Sequence, residues 1–213
     1  MRVAVRDSGA AGAEKTPQLT PNPLGPIPPP VNQFPPLLQT DRLLIRPSDP
    51  DSAEAVNTAI RESYAELHTW MPWADHLPDV AETREHLVGT RERYLIGADC
   101  GLGLWLKDGG VYVGGSGLHP RPADPASREV GYWIHSNYTG RGLATEAVRA
   151  IVAEGFRLGL LAVQLKASER NLASLRVAER AGFTREAILD DGRIDPGGIP
   201  SRTVLFVLRR NAP

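Results

Sequence analysis

Between residues 42 and 209 the apolar positions switch repeatedly between two periods, and each switch predicts a boundary between elements. Short runs rich in β-branched and aromatic residues predict strands at Arg42–Arg46, Leu102–Lys107, Val111–His119, Glu129–His135, Ala162–Ala167, Arg185–Leu189 and Arg202–Arg209. Helical spacing predicts helices over Asp51–Ser63, Ala65–Trp70, Val80–Leu95 and Leu172–Ala181, and one running to Leu158. In that last helix Ala144, Ala147, Val148, Ile151, Val152 and Gly155 fall on one face. Asp108-Gly109-Gly110 joins two of the strands and marks a hairpin. Gly182 is placed to end its helix in a left-handed conformation, with Phe183 packing back. No internal repeat interrupts this order, which predicts an α+β domain with a mixed sheet.

The N-terminal stretch breaks the pattern. Pro17, Pro21, Pro23, Pro26, Pro28, Pro29, Pro30, Pro35 and Pro36 exclude a helix or a central strand and favour extended polyproline II. Residues 1–36 are therefore expected to form an extended or flexible arm, and residues 37–213 the folded domain. Leu24, Ile27, Val31 and Phe34 are the apolar side chains that would anchor the arm, on the domain itself or across a homodimer.

Composition narrows the function classes. With 24 Lys and Arg against 25 Asp and Glu, no basic stripe argues for nucleic acid. No apolar run is long enough to span a bilayer, and the start lacks an apolar signal core, so a cytoplasmic location is expected. The single cysteine, Cys100, cannot form an intramolecular disulfide and reads as a buried thiol. The five histidines show no pairing with cysteine and no His-x-x-x-His spacing, so no metal site is expected.

The candidate chemistry lies in Asn137–Glu146, between a predicted strand and a predicted helix. Gly140 and Gly142 allow a sharp bend, and the helix start offers unpaired N–H groups and the positive end of its dipole. Such a loop can cradle a pyrophosphate, although a plain tight turn has the same signature. A P-loop needs Gly-Lys followed by Ser or Thr, and no lysine follows these glycines. A dinucleotide fingerprint needs a third glycine where Thr145 stands.

The second constellation is the helix from Asn171 through Ser174 to Gly182-Phe183. Together with Thr139-Gly140-Arg141-Gly142-Leu143-Ala144, it resembles the GNAT superfamily of acetyl-CoA-dependent N-acetyltransferases. Leu38–Pro47 and Glu129–Ile134 look like the Rim-type branch, which acetylates the N-termini of ribosomal proteins. The resemblance covers roughly Leu38 to Arg210 and implies a single GNAT-like domain whose central, mostly antiparallel twisted sheet is flanked by helices. One departure is Thr139, which stands where the family usually has Gln or Arg; Arg141 is a substitute charge.

The resemblance implies a reaction: transfer of acetyl from acetyl-CoA to a primary amine, most plausibly a peptide or protein N-terminus. A polyamine or aminoglycoside is the alternative acceptor, kept open by Asp75, Asp79, Glu82 and Glu85, and a non-catalytic acyl-CoA-binding regulator is a third reading. Gly140, Arg141, Gly142, Ala144 and Thr145 would hold the pyrophosphate, and the strand at Trp133, Ile134 and His135 the pantetheine arm. An amide near Trp133 or Ile134 would act as oxyanion donor. Asn171 would contact the cofactor and Ser174 would donate to the departing sulfur; equally, Asn171 is suited to N-cap the helix and Ser174 falls at its third position. Glu129 is the first base candidate, sharing a face with Gly131, Trp133 and His135, with a solvated ion pair to Arg128 as its alternative; His135 is the weaker base. Trp70 and Trp73 are expected on the acceptor side, or in the core.

Overall fold

The computed structural model describes residues 34–121, 124, 127–195 and 198–210. In chain order the elements are β1 (Leu38–Gln39), β2 (Leu43–Pro47), a 3-10 turn (Pro50–Ser52), α1 (Ala53–Glu62), α2 (Tyr64–Trp70), α3 (Val80–Leu95), β3 (Cys100–Leu106), β4 (Tyr112–Pro120) and β5 (Ser127–Ile134). A second 3-10 turn (Ser136–Tyr138) leads to α4 (Leu143–Arg157), β6 (Ala162–Ser168), α5 (Leu172–Arg180), β7 (Thr184–Leu189), β8 (Ile194–Asp195), β9 (Ile199–Pro200) and β10 (Thr203–Arg209).

Eight strands form one sheet in the order β1-β2-β3-β4-β5-β6-β10-β7, and β8 pairs with β9 apart from it. Every neighbouring pair in the large sheet is antiparallel except β5 and β6. Parallel neighbours need a crossover, and α4 is that crossover. The parallel ladder joins only Ser127–Glu129 to Ala162–Gln164. β6 pairs with β10 on its other edge from Ala162 to Ser168, but its ladder with β5 ends at Gln164, so a gap opens between Val130–Ile134 and the upper half of β6.

The two faces of the sheet differ. On one, Leu104, Leu118, Val130, Val163, Leu165 and Phe206 pack against Ala147, Val148, Ile151 and Val152 of α4 and Ala178 of α5. On the other, strand alternation brings glycines into register: Gly101 with Gly117, Gly103 with Gly115, and Gly117 with Gly131. That face is covered by α1 on β4 and α3 on β3. The glycines leave room for large side chains lying flat. A Cβ on Gly115 would stand 2.7 Å from Trp133 Nε1, and one on Gly101 would stand 2.3 Å from Thr90 Cγ2.

Local rules account for most boundaries. Asp79 and Glu82 form a reciprocal capping box at the start of α3. Gly182 (φ 93°) closes α5, with its N–H on Glu179 O and the Phe183 N–H on Ala178 O, a Schellman pattern that buries Phe183. The helix expected from Asp51 begins instead as a 3-10 turn, because Asp49 caps Asp51 N–H and Pro50 occupies the first position. The strands β1, β8 and β9 were not anticipated: two residues carry no period. Of the proposed arm anchors, Phe34 is buried, and its carbonyl accepts a hydrogen bond from Tyr94 Oη at 2.7 Å. Leu24, Ile27 and Val31 lie outside the described residues. Cys100 is fully buried, and burial pushes its thiol up to about 12.

Candidate active site

The loop after β5 has the conformation that an anion cradle needs. Gly140 and Gly142 adopt φ of 73° and 78°, a left-handed region that costs glycine little. No side chain caps α4 at Gly142, so the N–H groups of Leu143, Ala144 and Thr145 stand at an open helix start. A Cβ on Gly140 would meet nothing within 4 Å, so backbone angle, not crowding within the protein, demands glycine there. Arg141 is not an idle cation. Its guanidinium donates to Asn137 O at 2.9 Å and lies 5.0 Å over the Tyr138 ring, bracing the loop. Thr139 turns its hydroxyl onto Ser136 O. Sequence reasoning missed Arg42, which donates to Arg141 O at 2.8 Å and pairs with Glu146 at 2.5 Å, clamping β2 to both sides of the glycine turn. Glu146 is held below the usual carboxylate range: burial opposes its charge, but hydrogen bonds from Thr40 and Arg42 outweigh it.

The edge of β5 along the gap decides which amides face a ligand. His135 N–H donates to Val113 O, and antiparallel ladders alternate, so Trp133 and Gly131 also turn their backbone groups to β4. Tyr132 and Ile134 turn theirs to the gap. Of the two amides expected as oxyanion donors, that of Ile134 faces the gap and that of Trp133 is turned to β4. His135 is also turned away from the gap. Its Nδ1 accepts from Asn137 N–H and its Nε2 donates to Glu62 at 3.0 Å, so it ties the loop to α1. Ser63 Oγ accepts from Ser136 N–H beside it.

Across the gap, Asn171 Oδ1 accepts from Ser174 N–H at 3.0 Å, the expected N-cap. The Ser174 hydroxyl meets the hydroxyl of Tyr132 at 2.8 Å. Burial pushes the Tyr132 phenol up to about 12, so it stays protonated and able to donate at neutral pH. Alternation along β5 places Tyr132 on the α5 side, but only the packed fold shows which hydroxyl it meets.

Glu129 departs from expectation. It is paired with Arg121 and Lys166, each at 3.2 Å, rather than with Arg128. Its register partner on β4 is His119, whose Nδ1 lies 2.9 Å from Asp99.

The acceptor side is aromatic. Trp73, half-exposed, lies 6.4 Å from Trp133, which lies 5.9 Å from Tyr112, which in turn meets Trp105 edge-on at 5.0 Å. Trp70 and Pro72 form one wall of a cleft of about 440 Å³ whose other wall is Asp191, Arg193, Ile194, Asp195 and Thr203. Asp195 is buried, accepting from Ser168 Oγ at 2.6 Å and paired with Arg193 at 2.7 Å.

This geometry has counterparts in known proteins. Residues 42–184 match the acetyltransferase (GNAT) domain. The chain belongs to the GNAT acetyltransferase family. It is 32% identical over 157 residues to YdaF of Bacillus subtilis (strain 168), by name a candidate ribosomal N-acetyltransferase, covering 71% of this chain and 83% of YdaF. Its fold is shared with RimL, the ribosomal L7/L12 alpha-N-protein acetyltransferase solved with coenzyme A (TM-score 0.75, 19% identity, 81% of this chain and 97% of RimL). It is shared as well with the microcin C7 self-immunity acetyltransferase MccE solved with acetyl-CoA and AMP (TM-score 0.73, 18% identity, 88% and 98% covered).

The acetyltransferase thus uses acetyl-CoA as its cosubstrate, and its residues fit that group: an open helix start for the pyrophosphate and a gap with free strand amides beside it. Among the described residues no helix is long and apolar enough to cross a membrane, and no cluster of metal-ligating side chains is present. The fold brings Gly140, Gly142, Ala144, Thr145, Ile134, Asn171 and Ser174 around the gap. It turns Trp133 onto the opposite face, pairs Glu129 and His135 with charged neighbours, and brings in Tyr132 at the gap and Arg42 at the glycine turn, which no local motif signalled.

Proposed function

We propose that the acceptor is the α-amine of a peptide or protein N-terminus. The observation that carries this is the cleft between Trp70–Pro72 and the β8–β9 hairpin, whose walls pair aromatic and apolar surface with Arg193 and a neutralised Asp195. A polycationic aminoglycoside or polyamine calls for unpaired carboxylates. Three of the four carboxylates that kept that alternative open are engaged locally: Asp79 and Glu82 cap α3, and Asp75 accepts from His76, which among the described residues leaves Glu85 alone. The names of YdaF and RimL point the same way.

In this reading Leu143–Thr145 N–H groups and the braced glycine turn hold the pyrophosphate, and the β5 edge at Tyr132 and Ile134 aligns the pantetheine arm. An Ile134 or Tyr132 amide stabilises the developing oxyanion. When the C–S bond breaks, the Ser174 hydroxyl gives its proton to the thiolate while Tyr132 holds the serine oxygen by a hydrogen bond, and the second proton lost from the amine nitrogen restores the serine.

Incubating the enzyme with acetyl-CoA and peptides starting with Ser or Ala, in parallel with spermidine and kanamycin, tests the proposal by mass spectrometry. Acetylated peptide N-termini are expected. Modification of spermidine or kanamycin alone would overturn it.

A further inference from the structure

Outside the loop and the Ser174 pair, one cluster combines the chemistry of a base with the right location. We infer that His119, oriented by Asp99, is the catalytic base that takes the proton from the incoming amine. This rests on acetyl transfer to an amine, not on the peptide acceptor proposed above.

Three observations carry it. First, Asp99 Oδ1 lies 2.9 Å from His119 Nδ1. A carboxylate only accepts, so Nδ1 carries the hydrogen and Nε2 keeps its lone pair. Second, Nε2 lies over glycine: a Cβ built on Gly131 would be 3.4 Å from it, and one on Gly117 would be 3.0 Å away. Gly131 sits on β5 one step before Tyr132, where the gap opens, and on the face opposite α4 and the pyrophosphate loop. The imidazole, with 45% of its side chain exposed, therefore shares the sheet face of Gly131 and Trp133, the side of β5 from which an acceptor would approach the thioester. Third, His119, Glu129 and Gln164 form one row across β4, β5 and β6. Glu129 is engaged by Arg121 and Lys166, whereas Gln164 Oε1 is buried and accepts no hydrogen bond from the described residues. That carbonyl is a ready partner for a second N–H of an ammonium group.

The charges facing His119 support the role. The hydrogen bond from His119 to Asp99 raises the imidazole above its ordinary value, with Glu129 adding to the effect and burial and Arg93 of α3 opposing it. Arg121 and Lys166 stand behind Glu129. An imidazole raised in this way is matched to an α-ammonium, with a pKa of about 8, far better than to a lysine or polyamine ammonium at about 10.4. The step balances. Nε2 takes one proton from R–NH3+, the freed nitrogen pair forms the C–N bond, and the C–S pair leaves on sulfur. The nitrogen then loses its second proton, offsetting the one taken up by the thiolate, and His119 releases its proton to water.

The test compares wild type, His119→Gln and Asp99→Asn across about pH 5.5 to 9, with acetyl-CoA and a peptide starting with Ser as the probe. His119→Gln is expected to lose about 100-fold or more in kcat/KM, with an unchanged melting shift on acetyl-CoA addition. Asp99→Asn is expected to move the acid limb of the pH profile to lower pH, which a merely structural role would not do. If wild type leaves the peptide unmodified, the peptide proposal fails alone. Slow hydrolysis of acetyl-CoA, which asks the same base to deprotonate water, then reads His119. Full turnover by folded His119→Gln overturns the inference, as does a pH profile that Asp99→Asn leaves in place. Should His119→Gln not fold, the Asp99→Asn profile decides.

Discussion

The Tyr132–Ser174 pair predicts that losses of rate and of stability both combine less than additively. Ser174→Ala removes the proposed proton donor and leaves the part-buried Tyr132 hydroxyl, previously 2.8 Å from its partner, without one. The loss of a positioned acid is expected to cost about 100-fold in kcat, or ~2.7 kcal/mol of barrier. The orphaned phenol adds about 1 kcal/mol of destabilisation. The helix cap survives, because Asn171 accepts from the Ser174 backbone N–H, which alanine keeps. Tyr132→Phe only withdraws support from the serine, and about tenfold in kcat is expected. If the tyrosine acts through the serine, the double variant turns over no more slowly than Ser174→Ala alone. That leaves a coupling energy of ~1.4 kcal/mol, the tenfold effect of Tyr132→Phe in kcat. Its stability should also recover part of the loss, since no hydroxyl is left unpaired. CoA release under saturating acetyl-CoA and urea denaturation measure the two quantities. Independent, multiplicative rate effects would refute the relay, and so would Ser174→Ala losing stability but not activity per folded molecule.

Other consequences follow from the same contacts. Acetyl-CoA at ~100 times its dissociation constant should stabilise the fold by about 2.7 kcal/mol, read as a rise in melting temperature; Gly140→Ala, forced to φ 73°, should weaken that shift and cost about 1 kcal/mol by itself. Gly117→Ala should destabilise by about 1–3 kcal/mol in urea denaturation, because its Cβ would lie 2.5 Å from the Cys100 carbonyl oxygen. The Asp99–His119 pair sets a pH window. His119 is raised from 6.5, so its contribution is full below 6.5 and lost as pH rises through its higher folded value. Asp99 is lowered from 3.8: burial opposes its charge, but the His119 hydrogen bond, the Cys100 N–H and Arg93 prevail, so its contribution is lost only below 3.8. The stability gap between wild type and His119→Gln should therefore narrow on going from about pH 5.5 to about pH 9.

Local period and capping chemistry dictate a large part of this fold. The strands β2 to β7 and β10, the five helices and the left-handed end at Gly182 follow from alternation, helical spacing and glycine. So does the cradle at Gly140–Thr145, since strand, glycine turn and helix start are contiguous in the chain. Residue contacts across strands were not legible. Glu129 looked like a base because alternation gives its face, but not that Arg121 and Lys166 reach it from β4's end and β6. Nor does the chain around His135 show that Glu62 of α1 pairs with it. His119 and Asp99 are 20 residues apart, and Tyr132 and Ser174 are 42 apart. Neither pair leaves a periodic trace, because side-chain partnership depends on register and on the splay of β5 from β6. Those are set by how the α4 crossover and the glycine-paved face pack, a property of the whole sheet that no window of sequence contains.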